Sequence, residues 1–513
     1  MSDETLPAGR ATTGIPGLDG ILAGGLERRR LYLVEGKPGT GKTTFGLAYL
    51  LAGLAAGERC LYVALSESGA ELRAAAASHG WSLDHPGLVV FEVSPPELAD
   101  PSLGQSLLHA ADLELGEAVS RIFAQIEAHR PTRVVIDGLS EIRLLSQGPL
   151  RYRQQLLAMK HRFAHTGVTV LLLNDMTTDD ADAAVHSIAH GVVRLEELAP
   201  AYGAERRRLR VVKYRGTRFR GGYHDLVLDT GGLRVFPRLV AADQEGRQLG
   251  TGAGSRALHQ QVPSGLPGLD NLLGGGLQRG TNTLLMGPSG AGKSVIALHY
   301  ALAATAAGGA AVIYVFDEEI SLVVARAAGM GLDLAGPMAS GRLRLESVDA
   351  AELSPGEFAH RVRDEVELRG VDTVVVDSLN GFQAAMPDEH FLLLHVHELL
   401  TYLNRRNVLT LVTLAQHGLV GEMRSPVDFT YISDTIVLLR YFEAQGRVRR
   451  AMSVIKKRIG RHEDTIREYR IGLSGVQVGE PMTGLQGVLR GTPQYLAGGA
   501  GGMLLEPGDR TAD

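Results

Sequence analysis

Two glycine-rich octapeptides carry residue types suited to holding a nucleoside triphosphate: Gly36-Lys37-Pro38-Gly39-Thr40-Gly41-Lys42-Thr43 and, 251 residues further on, Gly287-Pro288-Ser289-Gly290-Ala291-Gly292-Lys293-Ser294. Both fit the pattern G-x-x-x-x-G-K-[ST]. Gly36, Gly39 and Gly41, like Gly287, Gly290 and Gly292, let successive backbone N–H groups turn inward around phosphate oxygens. A helix starting at the lysine adds positive partial charge. Thr40, Thr44, Ser289 and Ala291 complete the two cradles. Lys42 and Lys293 reach for the β- and γ-phosphates, and the hydroxyls of Thr43 and Ser294 are placed to ligate Mg²⁺. The cofactors expected on these grounds are a nucleoside triphosphate and Mg²⁺.

Acids stand where such a site needs them. Ser66-Glu67 closes the apolar run Leu61 to Leu65, and Asp317-Glu318 closes Val312 to Phe316. A carboxylate at a strand end beside a phosphate loop can orient an attacking water or take a hydroxyl proton, which nominates Glu67, Asp317 and Glu318; an acidic loop facing solvent is the competing reading. Two further β-rich runs, Val134 to Asp137 and Thr373 to Asp377, end in an aspartate that can hold the metal's shell or cap a following helix. The strand ends Asn174-Asp175 and Gln416-His417 are candidates for sensing the γ-phosphate.

Cations add a second signal. Only 7 of the 52 basic residues are lysines, so Lys42, Lys213, Lys293, Lys456 and Lys457 stand out in a chain that otherwise prefers arginine. A compact ammonium and a guanidinium fork are not interchangeable. His161 and His165 lie four apart on an expected helix but lack a third metal ligand nearby, and read as a solvated face. His395 and His397 point to different sides of a helix. Arg206 to Arg208 and Arg449-Arg450 read as subunit contacts or solvated charge rather than a DNA surface.

The elements that must position these groups follow from pattern. Each glycine-rich loop is preceded by an apolar run, Leu31 to Val34 or Thr283 to Met286, and followed by an Ala- and Leu-rich helical segment. That is the strand, loop, helix order the chemistry requires. Continuous β-branched runs suit strands buried on both faces of a parallel sheet. Leu115, Val119, Ile122, Phe123 and Ile126 fall at helical spacing, and Ser354-Pro355-Gly356-Glu357 reads as a capping box before Phe358, Val362 and Val366. The opening Gly14-Ile15-Pro16-Gly17-Leu18-Asp19 returns at the same offset as Gly265-Leu266-Pro267-Gly268-Leu269-Asp270, so the chain reads as a duplicated domain. The layout expected is a tail at 1–10, a first domain at 11–240, a linker at 241–258, a second domain at 259–480, and a C-terminal loop and flexible tail at 481–513.

A hydrophobic content of 44% over 513 residues is ample for a core in each half, and a net charge of −5 without a long basic run weighs against coating nucleic acid. Cys60 is the sole cysteine, which rules out an intramolecular disulfide. With no leader pattern and no run of about 18 apolar residues, a cytoplasmic location without membrane contact is expected.

Taken together, these residues make the chain resemble the KaiC family, the RecA-related double-domain ATPases of the cyanobacterial circadian clock and their wider bacterial relatives. The resemblance covers about residues 12 to 496. It is carried by the tandem Gly-x-Pro-Gly-Leu-Asp openings, the strand-end acids, and the closings Val211-Val212-Lys213-Tyr214-Arg215 and Val454-Ile455-Lys456-Lys457-Arg458. Ser433 to Leu439 and Asp464 to Tyr469 add to it. The resemblance implies two tandem RecA-like P-loop NTPase domains, each an α/β unit with a mainly parallel sheet flanked by helices. It further implies a double-ringed homohexamer with ATP at the subunit interfaces.

In that arrangement one subunit supplies the P-loop, the strand-end acids and Asp137 or Asp377. Its neighbour supplies Lys213 and Arg215 in one ring, and Lys456 and Arg458 in the other, to the γ-phosphate. The family's second ring also phosphorylates itself on a Ser-Thr pair, whose matching positions here are Thr430 and Tyr431. Thr430 keeps an aliphatic hydroxyl that Glu318 can deprotonate, whereas Tyr431 is too long for a site shaped for threonine. Ser66 takes the place of the family's leading glutamate in the first half, which leaves Glu67 to position water. Leu485 to Leu496, including Gly491-Thr492-Pro493, matches the family's C-terminal peptide loop. The expected function is thus an ATPase with serine/threonine autokinase activity in the second domain, working in circadian-type or stress signalling with a possible signalling protein partner. The alternatives are a non-kinase conformational switch gated by ATP and a DNA-acting RecA-type ATPase.

Overall fold

The computed structural model describes residues 9–93, 110–146, 148–176, 183–199, 203–239, 260–384, 389–416, 429–473, 475–490 and 493–495. The expected tail before residue 9, the linker at 241–258, His417, Gly491-Thr492 and the end of the chain from 496 lie outside these. The chain divides into two compact units, Met1–Arg238 and Leu239–Asp513.

Nine strands form one sheet in the first unit: β1 (Leu31–Gly36), β2 (Cys60–Ala64), β3 (Leu88–Glu92), β4 (Arg133–Asp137), β5 (Thr169–Asp175), β6 (Gly191–Leu198), β7 (Arg206–Tyr214), β8 (Tyr223–Asp229) and β9 (Gly232–Phe236). Their spatial order is β9-β8-β7-β6-β1-β5-β4-β2-β3. The six strands from β3 to β6 run parallel, and β7, β8 and β9 continue antiparallel. Side chains on a strand alternate between faces, so Tyr32, Val34, Val135 and Leu171 enter one core while Leu31, Leu33, Val134 and Leu172 enter another. Helix α1 (Lys42–Ala55) fills the first core with Phe45, Leu47 and Leu50. Helices α2 (Ala110–His129) and α3 (Pro149–Thr166) fill the second with Ile122, Phe123, Tyr152 and Phe163.

The second unit repeats the plan. Its strands are β10 (Asn282–Gly287), β11 (Ala311–Val315), β12 (Leu343–Ser347), β13 (Thr373–Asp377), β14 (Leu409–Ala415), β15 (Thr435–Ala444), β16 (Arg447–Lys457), β17 (Arg467–Gly472) and β18 (Gly475–Pro481), ordered β12-β11-β13-β14-β10-β15-β16-β17-β18. This is the order of the first sheet with every strand replaced by its counterpart. Again six strands are parallel and the last three antiparallel. These are the two RecA-like α/β units expected from the sequence.

The repeated opening motif is an anchor for the chain rather than part of the chemistry. Asp19 Oδ1 accepts hydrogen bonds from the Thr13 N–H and hydroxyl, and Asp270 Oδ1 does the same for Ser264. Gly17 (φ +86°) lies so close to β9 that a Cβ there would stand 2.0 Å from the Val235 carbonyl oxygen. Arg10, assigned to the tail on sequence grounds, pairs across from Glu27 in a short ribbon. The capping box expected at Ser354 forms only in half: Ser354 Oγ accepts from the Glu357 N–H, but the Glu357 carboxylate pairs with Arg361 instead. A complete box forms between Ser68 and Glu71.

Candidate functional site

In the first unit β1 ends at Gly36 and α1 begins at Lys42, so the glycine-rich loop lies between a buried strand and a helix N-terminus. Gly39 and Gly41 take φ of +85° and +95°, a region only glycine enters without strain. A Cβ on Gly36 would stand 2.6 Å from both the Leu195 carbonyl oxygen and Thr40 Oγ1. Lys42 Nζ donates to the carbonyls of Gly36 (3.0 Å) and Lys37 (2.8 Å) and pairs with Asp175 at 2.6 Å. Asp137, at the end of β4, accepts from Thr43 Oγ1 at 3.0 Å and from the Tyr62 hydroxyl at 2.6 Å.

Burial pushes the Asp137 carboxyl above the usual carboxylate range against the hydrogen bonds from Tyr62 and Thr43, and the Asp175 charge adds to the rise. Glu67 is raised by burial and then by the charges of Asp137, Glu71 and Asp175. Acids crowded beside one lysine favour an added cation. Among the described residues no three His, Cys, Asp or Glu side chains form a metal cage by themselves. Mg²⁺ commonly takes one or two carboxylates and completes its shell with waters and substrate phosphates, and Thr43 with Asp137 is a donor set of that kind. Thr44 points its hydroxyl at His79 Nε2, 3.2 Å away.

The second unit opens a cavity of about 680 Å³ lined by Ser289, Gly290, Lys293, Ser294, Asp317 and Asp377, among others. Lys293 Nζ donates to the Gly287 and Pro288 carbonyls at 3.0 and 2.8 Å, and burial holds it below the usual lysine range against the pull of Asp377. The Tyr469 hydroxyl donates to the Ala291 carbonyl, so β17 supports the loop from beneath. Here the acids have other partners. Asp377 accepts from Thr413 Oγ1 (2.5 Å), Asp317 from Ser378 Oγ (2.5 Å), and Glu318 pairs with Arg326 (2.5 Å).

Register distinguishes the two strand ends. Gly36 lies opposite Asp175, and Gly287 lies opposite Ala415. The two strand ends proposed as γ-phosphate sensors are therefore not equivalent: Asp175 corresponds to Ala415, and Gln416 to Met176. Lys42 has an acid partner at this position that Lys293 lacks.

The closing cations occupy matched places. Lys213 pairs across from Val192 beside a bulge, and Lys456 from Ile436 beside another. Lys213 Nζ donates to the His186 carbonyl at the end of α4 (Ala183–Ile188), and Arg215 donates to Ser187 O at 2.8 Å. Lys456 Nζ donates to Thr430 O at 2.8 Å, while Arg458 donates to Tyr431 O at 2.6 Å and pairs with Asp434 at 3.0 Å. The arginine clusters make ion pairs within the fold: Arg207 pairs with Glu197, Arg208 with Glu196 and Arg449 with Glu468. Tyr62, Ser378, Thr413 and Arg326 escaped the sequence reading, because their places in strands and helices look like ordinary core or surface.

Comparison with known proteins agrees with this architecture. The family model described as "ATPase: KaiC" matches residues 11–240 and 262–483. The circadian clock protein KaiC3 of Synechocystis sp. is 25% identical over 506 residues, covering 97% of each chain. The circadian clock oscillator protein KaiC of Thermostichus vulcanus is 26% identical, covering 94% of this chain and 92% of its own. That of Prochlorococcus marinus is 26% identical, covering 95% of each.

Proposed function

The chain belongs to the KaiC family of ATPases, and from that premise we propose that it works as a homohexamer in which each unit binds Mg-ATP between neighbouring copies. The domains would run over 11–240 and 259–480. The observation that carries the reading is the doubled arrangement of a buried P-loop lysine beside strand-end acids, with a separate lysine and arginine at the end of the closing strand. In the first unit Thr43 and Asp137 would hold Mg²⁺, which would supply positive charge beside the phosphates, while Glu67 orients water. In the second, Ser294 and Asp377 would hold it, and the Asp317 and Glu318 carboxylates serve as the bases at the strand end. Lys213, Arg215, Lys456 and Arg458 act on the phosphates of an adjacent copy.

In the second unit Glu318 also takes the proton of Thr430 as its oxygen attacks the γ-phosphorus and ADP leaves. Lys456 and Arg458 grip the carbonyls of Thr430 and Tyr431, so acceptor and cations move as one piece. Tyr431 itself is 56% exposed, which suits a surface presented to a neighbour. The output is phosphorylation state or ring conformation in a circadian-type or stress signalling pathway of the cytoplasm.

Incubation with γ-labelled ATP and Mg²⁺ tests the transfer. Label on the parent protein that disappears in both Thr430→Ala and Glu318→Gln is the expected result. Free phosphate without bound label refutes the kinase and leaves the ATP-gated conformational switch, a reading favoured by the pairing of Glu318 with Arg326.

A further inference from the structure

Three consecutive carbonyls at the end of α4 each receive a cation. His186 O takes Lys213 from β7, Ser187 O takes Arg215 just beyond β7, and Ile188 O takes Lys160 Nζ from α3 at 2.9 Å. The negative end of the helix accounts for part of this attraction. It does not neutralise three full charges, and among the described residues none of the three has a carboxylate partner. Lys160 and Lys213 are both held below the usual lysine range by burial and by neighbouring cations, with Arg215 acting on both and Arg30 on Lys160. Like charges held together without a counter-charge form a site for an anion of high charge density.

The second unit is different. Arg458 is neutralised by Asp434 there, and Lys456 rests on the Thr430 carbonyl. Lys160 is also one of only 7 lysines in an arginine-rich chain.

Resting on the interface reading above, we infer that Lys160 is a third phosphate-contacting cation of the first ring, meeting the γ-phosphate of ATP bound by the adjacent copy's first P-loop together with Lys213 and Arg215. When the γ-phosphoryl passes to water, its equatorial oxygens and the leaving ADP oxygen carry the developing charge. Three cations with no internal counter-ion would act on it.

The test is steady-state phosphate release by the full-length protein carrying Lys293→Ala, so that only the first P-loop turns over. Lys160→Met is expected to lower kcat about tenfold or more while KM for ATP stays within about twofold. Lys160→Gln, which still carries a donor for Ile188 O but no charge, should fall alongside it, and Lys160→Arg should retain most of the rate. Mixing Lys160→Met copies with Lys42→Ala copies should restore part of the lost turnover, because an intact P-loop then faces an intact Lys160. A Lys160→Gln protein with parental kcat, beside a Lys213→Met protein that has lost activity, would overturn the inference and leave the interface reading standing. Parental turnover in both would overturn the interface reading itself.

Discussion

Replacing Glu35 by Met and Arg194 by Leu gives the first sheet the cross-strand pair that the second sheet already has, since Glu35 lies opposite Arg194 where Met286 lies opposite Leu438. Glu35 is fully buried, accepts from Arg194 Nε at 2.7 Å, and pairs with His186 Nε2 at 2.7 Å. Removing one partner of a buried ion pair costs about 3–5 kcal/mol, because the other charge is left without compensation. Arg194 and His186 keep 15% and 19% of their side-chain surface, so the lower end applies and Glu35→Met should lose about 3 kcal/mol. For a unit of this size that is roughly 6–12 °C in melting temperature. Arg194→Leu should lose a similar amount, since it leaves a carboxylate of no exposure with His186 as its remaining partner. The double variant should return to within about 1 kcal/mol of the parent, because apolar replacement of a whole buried pair is close to neutral. The only tryptophan, Trp81, lies in the first unit, so its fluorescence during heating reports on that unit alone. Losses in the two single variants that simply add in the double would refute the coupling and the pairing with it.

Further outcomes follow from other contacts. Tyr62→Phe removes a hydrogen bond that holds the Asp137 carboxyl down, so the acid limb of phosphate release by a Lys293→Ala protein should move to higher pH; an unmoved limb would separate Asp137 from the rate. Burial raises Glu58, but hydrogen bonds from Arg28, Arg133 and Thr132 prevail and bring its pKa from 4.5 to about 2. A depressed carboxylate stabilises the fold above its unfolded pKa, so the stability of the first unit should decline as pH falls from about 4.5 toward 2, and acid titration of Trp81 fluorescence in Glu58→Gln should lack that decline. Gly17→Ala drives a Cβ into the Val235 carbonyl at a left-handed backbone position, whereas a Cβ on Gly20 meets nothing within 4 Å. The first should lower the melting temperature of the first unit by several degrees, and Gly20→Ala should leave it near the parent value.

The fold was readable because one of its signals is local and the other is a repeat at a fixed offset. Continuous β-branched runs ending in acid mark parallel strands with two buried faces, and the 251-residue offset between Lys42 and Lys293 exposes the duplication. The P-loop lysines, Asp137 and Asp377 fell out of the same pattern. What stayed hidden depends on register and on side-chain reach. Nothing in the chain tells that Asp175 falls opposite Gly36 while Gln416 falls one place beyond Gly287. Tyr62 occupies a strand position typical of core, yet its hydroxyl reaches Asp137. Lys160 reads as helix surface until three carbonyls of α4 bring it to Lys213 and Arg215. Nor does the short run at Arg206 to Arg208 show by itself that antiparallel register places Glu197 and Glu196 directly opposite Arg207 and Arg208.

ATP turnover by the purified full-length protein with Mg²⁺, compared with Lys42→Ala, Lys293→Ala and the double variant, bears most directly on the assignment of two nucleotide sites. Phosphate release that falls in each single variant and vanishes in the double is the expected result. Release that persists in the double variant, or a parent protein that releases none, would contradict it.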